Sequence, residues 1–136
     1  MGAWGHGIFD DDTAYDYVDE IDNSDNPKEI FKNAFETAMN AEYLEYDDCH
    51  AVTVSASYID SILNGTKPRV DAEDENFFQF VEKNKHLDVT DLKPNAVKAL
   101  KVVISDNSEL NELWTDNEEL YPKWKGDIEE LIERLK

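Results

Sequence analysis

The sequence predicts an all-α fold: a single-domain bundle of about six or seven helices with a Gly/Trp-rich N-terminal turn. Three observations lead there. Apolar residues recur at intervals of three and four through most of the chain, the spacing that gives a helix one buried face. Proline and glycine stand where helices start and stop, Pro27 and Pro94 at openings and Asn64-Gly65 at a close. Hydrophobic residues make up 40% and aromatics 11%, enough for a packed core in a chain this acidic. No internal repeat or flexible linker divides residues 1–136.

Element by element, the opening Met1-Gly2-Ala3-Trp4-Gly5-His6-Gly7-Ile8-Phe9 is too rich in glycine for a helix. It reads as a tucked turn whose Trp4, Ile8 and Phe9 plug the bundle. Asp10, Asp11 and Asp12 crowd a helix start, where carboxylates cap free N–H groups and favour the dipole. Ala14, Tyr17, Val18 and Ile21 then share a face up to the break at Asn23-Ser24-Asp25-Asn26. From Pro27 a second helix carries Ile30, Phe31, Ala34, Phe35, Ala38 and Met39 on one stripe.

A third helix follows Asp47-Asp48 and carries Val52, Ala56, Ile59 and Leu63. Val52-Thr53-Val54 is compatible with a strand, but the three-and-four spacing that continues to Leu63 favours helix. Pro68 and Asp71-Ala72-Glu73-Asp74-Glu75 form a loop into a helix anchored by Phe77, Phe78, Phe80 and Val81. Pro94 opens a helix with Val97, Leu100 and Ile104 on one face. Ser108 and Glu112 resemble an N-cap region for a short helix holding Leu110, Leu113 and Trp114. The last helix carries Tyr121, Trp124, Ile128, Leu131, Ile132 and Leu135, with Glu130 and Arg134 spaced to pair four apart.

The charge narrows the class of partner. The chain has 32 Asp+Glu against 13 Lys+Arg, a formal net charge of -19, and no lysine or arginine precedes Lys28. Such a field repels nucleic acid and anionic membrane and attracts cations or a basic protein. No apolar run approaches the roughly 20 residues of a spanning helix. The N-terminus lacks the basic and apolar regions of a signal peptide, and Cys49, the single cysteine, fits a reducing compartment. A cytoplasmic location is expected.

The motifs that carry chemistry in other chains fail here. Gly5-His6-Gly7-Ile8-Phe9-Asp10 begins like a dinucleotide fingerprint but lacks its third glycine and a preceding strand. Asp71, Glu73, Glu75 and Glu82 take the first, third, fifth and twelfth places of a calcium loop, yet Asn76 stands where the turn needs glycine. His6, His50 and His86 show no zinc-ligand spacing. Cys49 and His50 are adjacent, and neighbours on a helix point about 100° apart, so adjacency does not make them a nucleophile–base pair. With 32 acids in the chain, a close carboxylate pair has no specificity for glycoside hydrolysis. No catalytic residue, metal site or cofactor is assigned.

Both ends of the chain resemble a bacterial family catalogued as domain of unknown function 4259. Met1-Gly2-Ala3-Trp4-Gly5-His6-Gly7-Ile8-Phe9, followed by Asp10-Asp11-Asp12-Thr13-Ala14, is similar to its opening signature. Ser108-Glu109-Leu110-Asn111-Glu112-Leu113-Trp114, Trp124 and the Leu131–Leu135 segment are similar to its closing one. Tyr46 to Gly65 resembles the central helix, with Ser55 and Ser57 where alanines are commoner. The resemblance implies a small acidic protein without an assigned activity, with a hint of toxin-immunity roles, and an opening motif that acts as a structural lock.

Two functions from different classes are therefore expected. The first is a non-enzymatic binding protein that neutralises a basic partner, most concretely an immunity protein occupying the cationic cleft of a toxin nuclease. Its contacts would come from Asp10, Asp11, Asp12, Asp16, Asp47, Asp48, Asp71, Glu73, Asp74 and Glu75. The second is a carboxylate- or metal-dependent hydrolase with His6 or His50 as base. A stress or housekeeping protein, acidic only for solubility, is the bland alternative.

Overall fold

A computed structural model describes residues 5–70 and 75–136. Among them are seven α-helices and one 3-10 turn, without a strand. The helices are α1 (Asp12–Asp22), α2 (Pro27–Asn40), α3 (Tyr46–Asn64), α4 (Asn76–Lys83), α5 (Lys93–Val103), α6 (Glu109–Thr115) and α7 (Tyr121–Leu135), with the 3-10 turn Thr90–Leu92 leading into α5. No helix among the described residues is long and apolar enough to cross a membrane.

The punctuation acts locally as the residue types require. Asp11, in extended backbone, caps α1 by accepting from the Thr13 N–H at 2.8 Å. Pro27 lies in the first turn of α2, where its missing N–H costs nothing. Gly65, at φ 72°, ends α3 in the left-handed region and donates to the Ser61 carbonyl at 3.0 Å. Ser108 caps α6 by accepting from the Asn111 N–H at 3.2 Å. Ile104 falls just past the end of α5 and is only half-buried.

Helix α3 is the axis of the molecule. It packs against all six other helices, and every residue from Cys49 to Ser61 is buried. That explains why Val52-Thr53-Val54 is helical: β propensity is a weak preference, and burial on every side overrides it. Thr53, Ser55, Ser57 and Ser61 are short polar residues, which lets neighbours approach. Thr53 and Ser57 return their hydroxyls to their own helix, on the carbonyls of His50 at 3.3 Å and Thr53 at 2.8 Å.

Around this axis the aromatic core is continuous. Tyr58 of α3 packs on Phe31 of α2 and on Phe77 and Phe80 of α4, with centroid distances of 5.8, 4.3 and 5.0 Å. Phe9 reaches in from the N-terminal turn to meet Phe77 edge-on at 5.2 Å and is 1% exposed. Burying a ring of this size contributes about 1.5–3 kcal/mol. Trp114 and Trp124 stack at 6.1 Å and close the α6–α7 corner. Trp4, expected beside Phe9, lies outside the described residues.

One expected pairing is replaced. Arg134 does not settle on Glu130; its Nε donates to Asp60 Oδ2 of α3 at 2.8 Å. Asp60 is 2% exposed. A buried carboxylate without a partner costs several kcal/mol, whereas an exposed pair on one helix is worth a few tenths. The buried acid therefore claims the guanidinium.

Candidate functional site

Asp10, Asp11 and Asp12 look alike in sequence and have three different fates. Asp10 folds back on the turn, where Oδ2 accepts from the Gly7 N–H at 3.0 Å and from Arg69 Nη2 at 3.1 Å. The turn closes so tightly that a Cβ on Gly5 or Gly7 would sit 2.5 or 2.8 Å from that same oxygen. Only Asp12 is exposed.

Asp11, expected on the contact surface, is only 3% exposed and is withdrawn from it. As the cap of α1 it points inward, where its Oδ2 accepts from the Tyr46 hydroxyl and lies 3.3 Å from His50 Nε2. Burial pushes its carboxyl up, but the His50 and Tyr46 contacts and the Thr13 N–H outweigh this and hold it at about 2. His50 is also buried, stacks edge-on with Tyr46 at 4.7 Å, and makes no hydrogen bond of good geometry at either ring nitrogen, the Asp11 approach at Nε2 being an ion-pair contact. A cavity of about 10 Å³ lies against Asp11, His50 and Thr53, room for about one water.

The remaining described acids divide. Asp16 of α1 and Asp47 at the start of α3 are exposed, and Asp48 is half-buried. Although remote in sequence, they converge. The Tyr17 hydroxyl is pushed up to about 12, first by burial, then by Asp47, Asp48, Glu20 and Asp16 in that order. Tyr46, whose hydroxyl is also raised by burial and by its bond to Asp11, feels Asp47 and Asp12 as well. Because α1 and α3 pack on each other, Asp12 and Asp16 of the first and Asp47 and Asp48 of the second are charged neighbours of these two tyrosines. Glu75 is exposed just before α4, within reach of Gln79 Nε2 at 3.4 Å, and is not among these neighbours. Asp71, Glu73 and Asp74 lie outside the described residues.

Sequence reasoning missed a continuation of this face. Leu44, in the α2–α3 connection, pairs with the segment before α6: its N–H donates to the Asn107 carbonyl at 2.7 Å, and its carbonyl accepts from Glu109 N–H at 2.9 Å. That stitch brings two more acids alongside. Tyr46 N–H donates to Glu109 Oε1 and the Tyr43 hydroxyl to Glu112 Oε2, both at 2.8 Å. Tyr43 is 43% exposed, the one exposed large hydrophobic side chain among the described residues. The usable signal was the interleaving of tyrosine with acid at Asp16-Tyr17, Tyr43 and Tyr46-Asp47.

The other reactive side chains are engaged separately. Cys49 Sγ is buried 3.2 Å from Ser108 Oγ and 3.7 Å from the Leu44 carbonyl, while His50 turns to Asp11. Burial raises the Cys49 thiol, despite its Ser108 contact. Among the described residues, no three of His, Cys, Asp and Glu gather as a metal-holding group.

The motif that builds this turn and the helices behind it also fit a known pattern. A family model described as "Domain of unknown function (DUF4259)" matches residues 2–127. The chain belongs to the DUF4259 family. The match includes the N-terminal turn, the whole acid–tyrosine face and the stacked Trp114 and Trp124, and ends within α7. No curated protein matches the chain, and no solved structure does. The DUF4259 description carries no activity.

Proposed function

We propose that this DUF4259 chain is a non-enzymatic binding protein for a basic protein, best read as an immunity protein of a nuclease-like toxin. The observation that supports this is the convergence of Asp12, Asp16, Glu20, Asp47 and Asp48 on Tyr17 and Tyr46, from helices that are remote in sequence. A nuclease holds phosphates in a cationic cleft, and a fixed array of carboxylates can fill it as a charge mimic. Excess negative charge speeds encounter and repels nucleic acid, while tyrosines supply contact area at little entropic cost. Tyr17, half-buried among its acids, is the expected central anchor, and exposed Tyr43 a second. The protein would act in the cytoplasm, where the toxin would otherwise reach its substrate.

A tagged pull-down from the native bacterium at low and moderate salt, read by mass spectrometry, tests the reading. One stoichiometric basic protein that survives moderate salt is expected. The Asp16→Lys/Asp47→Lys double variant should then lose affinity chiefly through slower association, and Tyr17→Ala through faster dissociation. A collection of salt-labile basic proteins, or a cognate partner indifferent to the double variant, would overturn it.

A further inference from the structure

The chain contains only two arginines, Arg69 and Arg134, and both line one cleft of about 240 Å³. The cleft lies between the N-terminal turn, the Pro68–Arg69 segment and α7, and His6 is a third nitrogen base in its wall. In a chain of net charge -19, bringing these groups together is a departure from the general surface.

Each also pairs with a carboxylate of the chain, buried in the case of Asp60 and partly exposed in those of Asp10 and Asp127. Arg134 is fixed through Nε by buried Asp60 at 2.8 Å, which leaves its Nη groups with no acceptor among the described residues. Arg69 is held by Asp10 at 3.1 Å and His6 by Asp127 at 3.0 Å. A guanidinium anchored at one edge and open at the other is preorganised for a planar oxyanion. Asp127 and Glu130 occupy the same wall, so the lining carries both signs.

We propose that this cleft binds a small zwitterion of the free α-amino-acid class. The carboxylate would sit on Arg69 and Arg134, the ammonium on Glu130 and Asp127, and the apolar part against Pro68. The mixed lining decides against a simple anion, which Glu130, Asp127 and the overall field would repel. It decides equally against a simple cation, which would face two arginines. The volume, below the roughly 300 Å³ at which drug-sized pockets begin, suits a ligand of this size. The site shares no residue with the acid–tyrosine face and stands or falls separately from it.

The test is a thermal-shift and ligand-observed NMR screen of the full chain against each of the twenty free amino acids at constant ionic strength. Every hit is compared with its N-acetyl and carboxamide forms, and inorganic phosphate serves as the simple anion. A subset of free amino acids should bind, and either blocking group should abolish the signal. Arg69→Gln and Glu130→Gln alter exposed side chains and should keep the fold while weakening binding about tenfold each, one charged hydrogen bond apiece. Silence from all twenty, equal binding of a blocked form or phosphate, or full binding by both variants would overturn the proposal.

Discussion

His50 Nε2 stands 3.3 Å from Asp11 Oδ2, with both side chains buried. This contact joins the cap of α1 to the first turns of α3, and Tyr46 reinforces it from the same helix. Asp11 is thus a fixed point of the fold, on which the relative placement of the two acidic helices depends.

Acid should expose that role. The folded-state value of Asp11, about 2, lies below its ordinary 3.8, so its contribution is complete above pH 3.8 and disappears as pH falls through 2. The difference is worth about 2 kcal/mol. Asp11→Asn should lower stability at neutral pH by about that much and flatten the dependence of stability on pH between about 4 and 2. Urea unfolding across this range, for both proteins, provides the measurement.

The N-terminal turn should reject a side chain at Gly5 and at Gly7. Alanine at Gly5 or Gly7 would drive a methyl against Asp10, and at Gly7 also to 3.0 Å from Arg69 Nη2. Each substitution should cost about 1–3 kcal/mol by thermal unfolding. Gly126→Ala, with nothing within 4 Å of the added methyl, is the control and should be neutral or slightly stabilising in its helix.

Arg134 and Asp60 should be strongly coupled. Arg134→Gln leaves a buried carboxylate without its ion-pair partner and should destabilise by about 1–3 kcal/mol, discounted for the half-open guanidinium. Adding Asp60→Asn should recover part of that loss. A double-mutant cycle returning no coupling would show that Asp60 finds compensation elsewhere.

Tyr17 should ionise late. Difference absorbance between the parent and Tyr17→Phe should place its phenolate at about 12, against 10 for an ordinary tyrosine. Because the folded value is raised, the tyrosine's contribution is complete below pH 10 and fades as pH passes 12. Asp47→Asn with Asp48→Asn should bring the midpoint down, and an unchanged midpoint would remove those acids from its surroundings.

Local chemistry was legible where a residue's own neighbours decide its state. Pro27, Gly65 and Ser108 marked helix ends, and the apolar stripes of α2 and α7 were readable as faces. What could not be read was rotation about a helix axis at its first residue. Asp10, Asp11 and Asp12 have the same chemistry, and which one turns inward depends on where α1 begins relative to His50 and Tyr46. Arg134 offered an equally local partner in Glu130, and only the burial of distant Asp60 decided otherwise. Tyr17 was readable as part of the α1 stripe, but its acidic surroundings come partly from α3. The DUF4259 resemblance carried through to residues 2–127.

The enclosure of α3 by the six other helices has a kinetic consequence. Its central amides have no local route to solvent, so they exchange hydrogen only when the entire domain opens. Tyr46, Asp47 and Asp48 form the first turn just before that enclosed stretch, and the Tyr46 N–H ties the turn to Glu109 of α6. A surface anchored this way gives up little motion when something settles on it, so the free and occupied forms should differ hardly at all in backbone order.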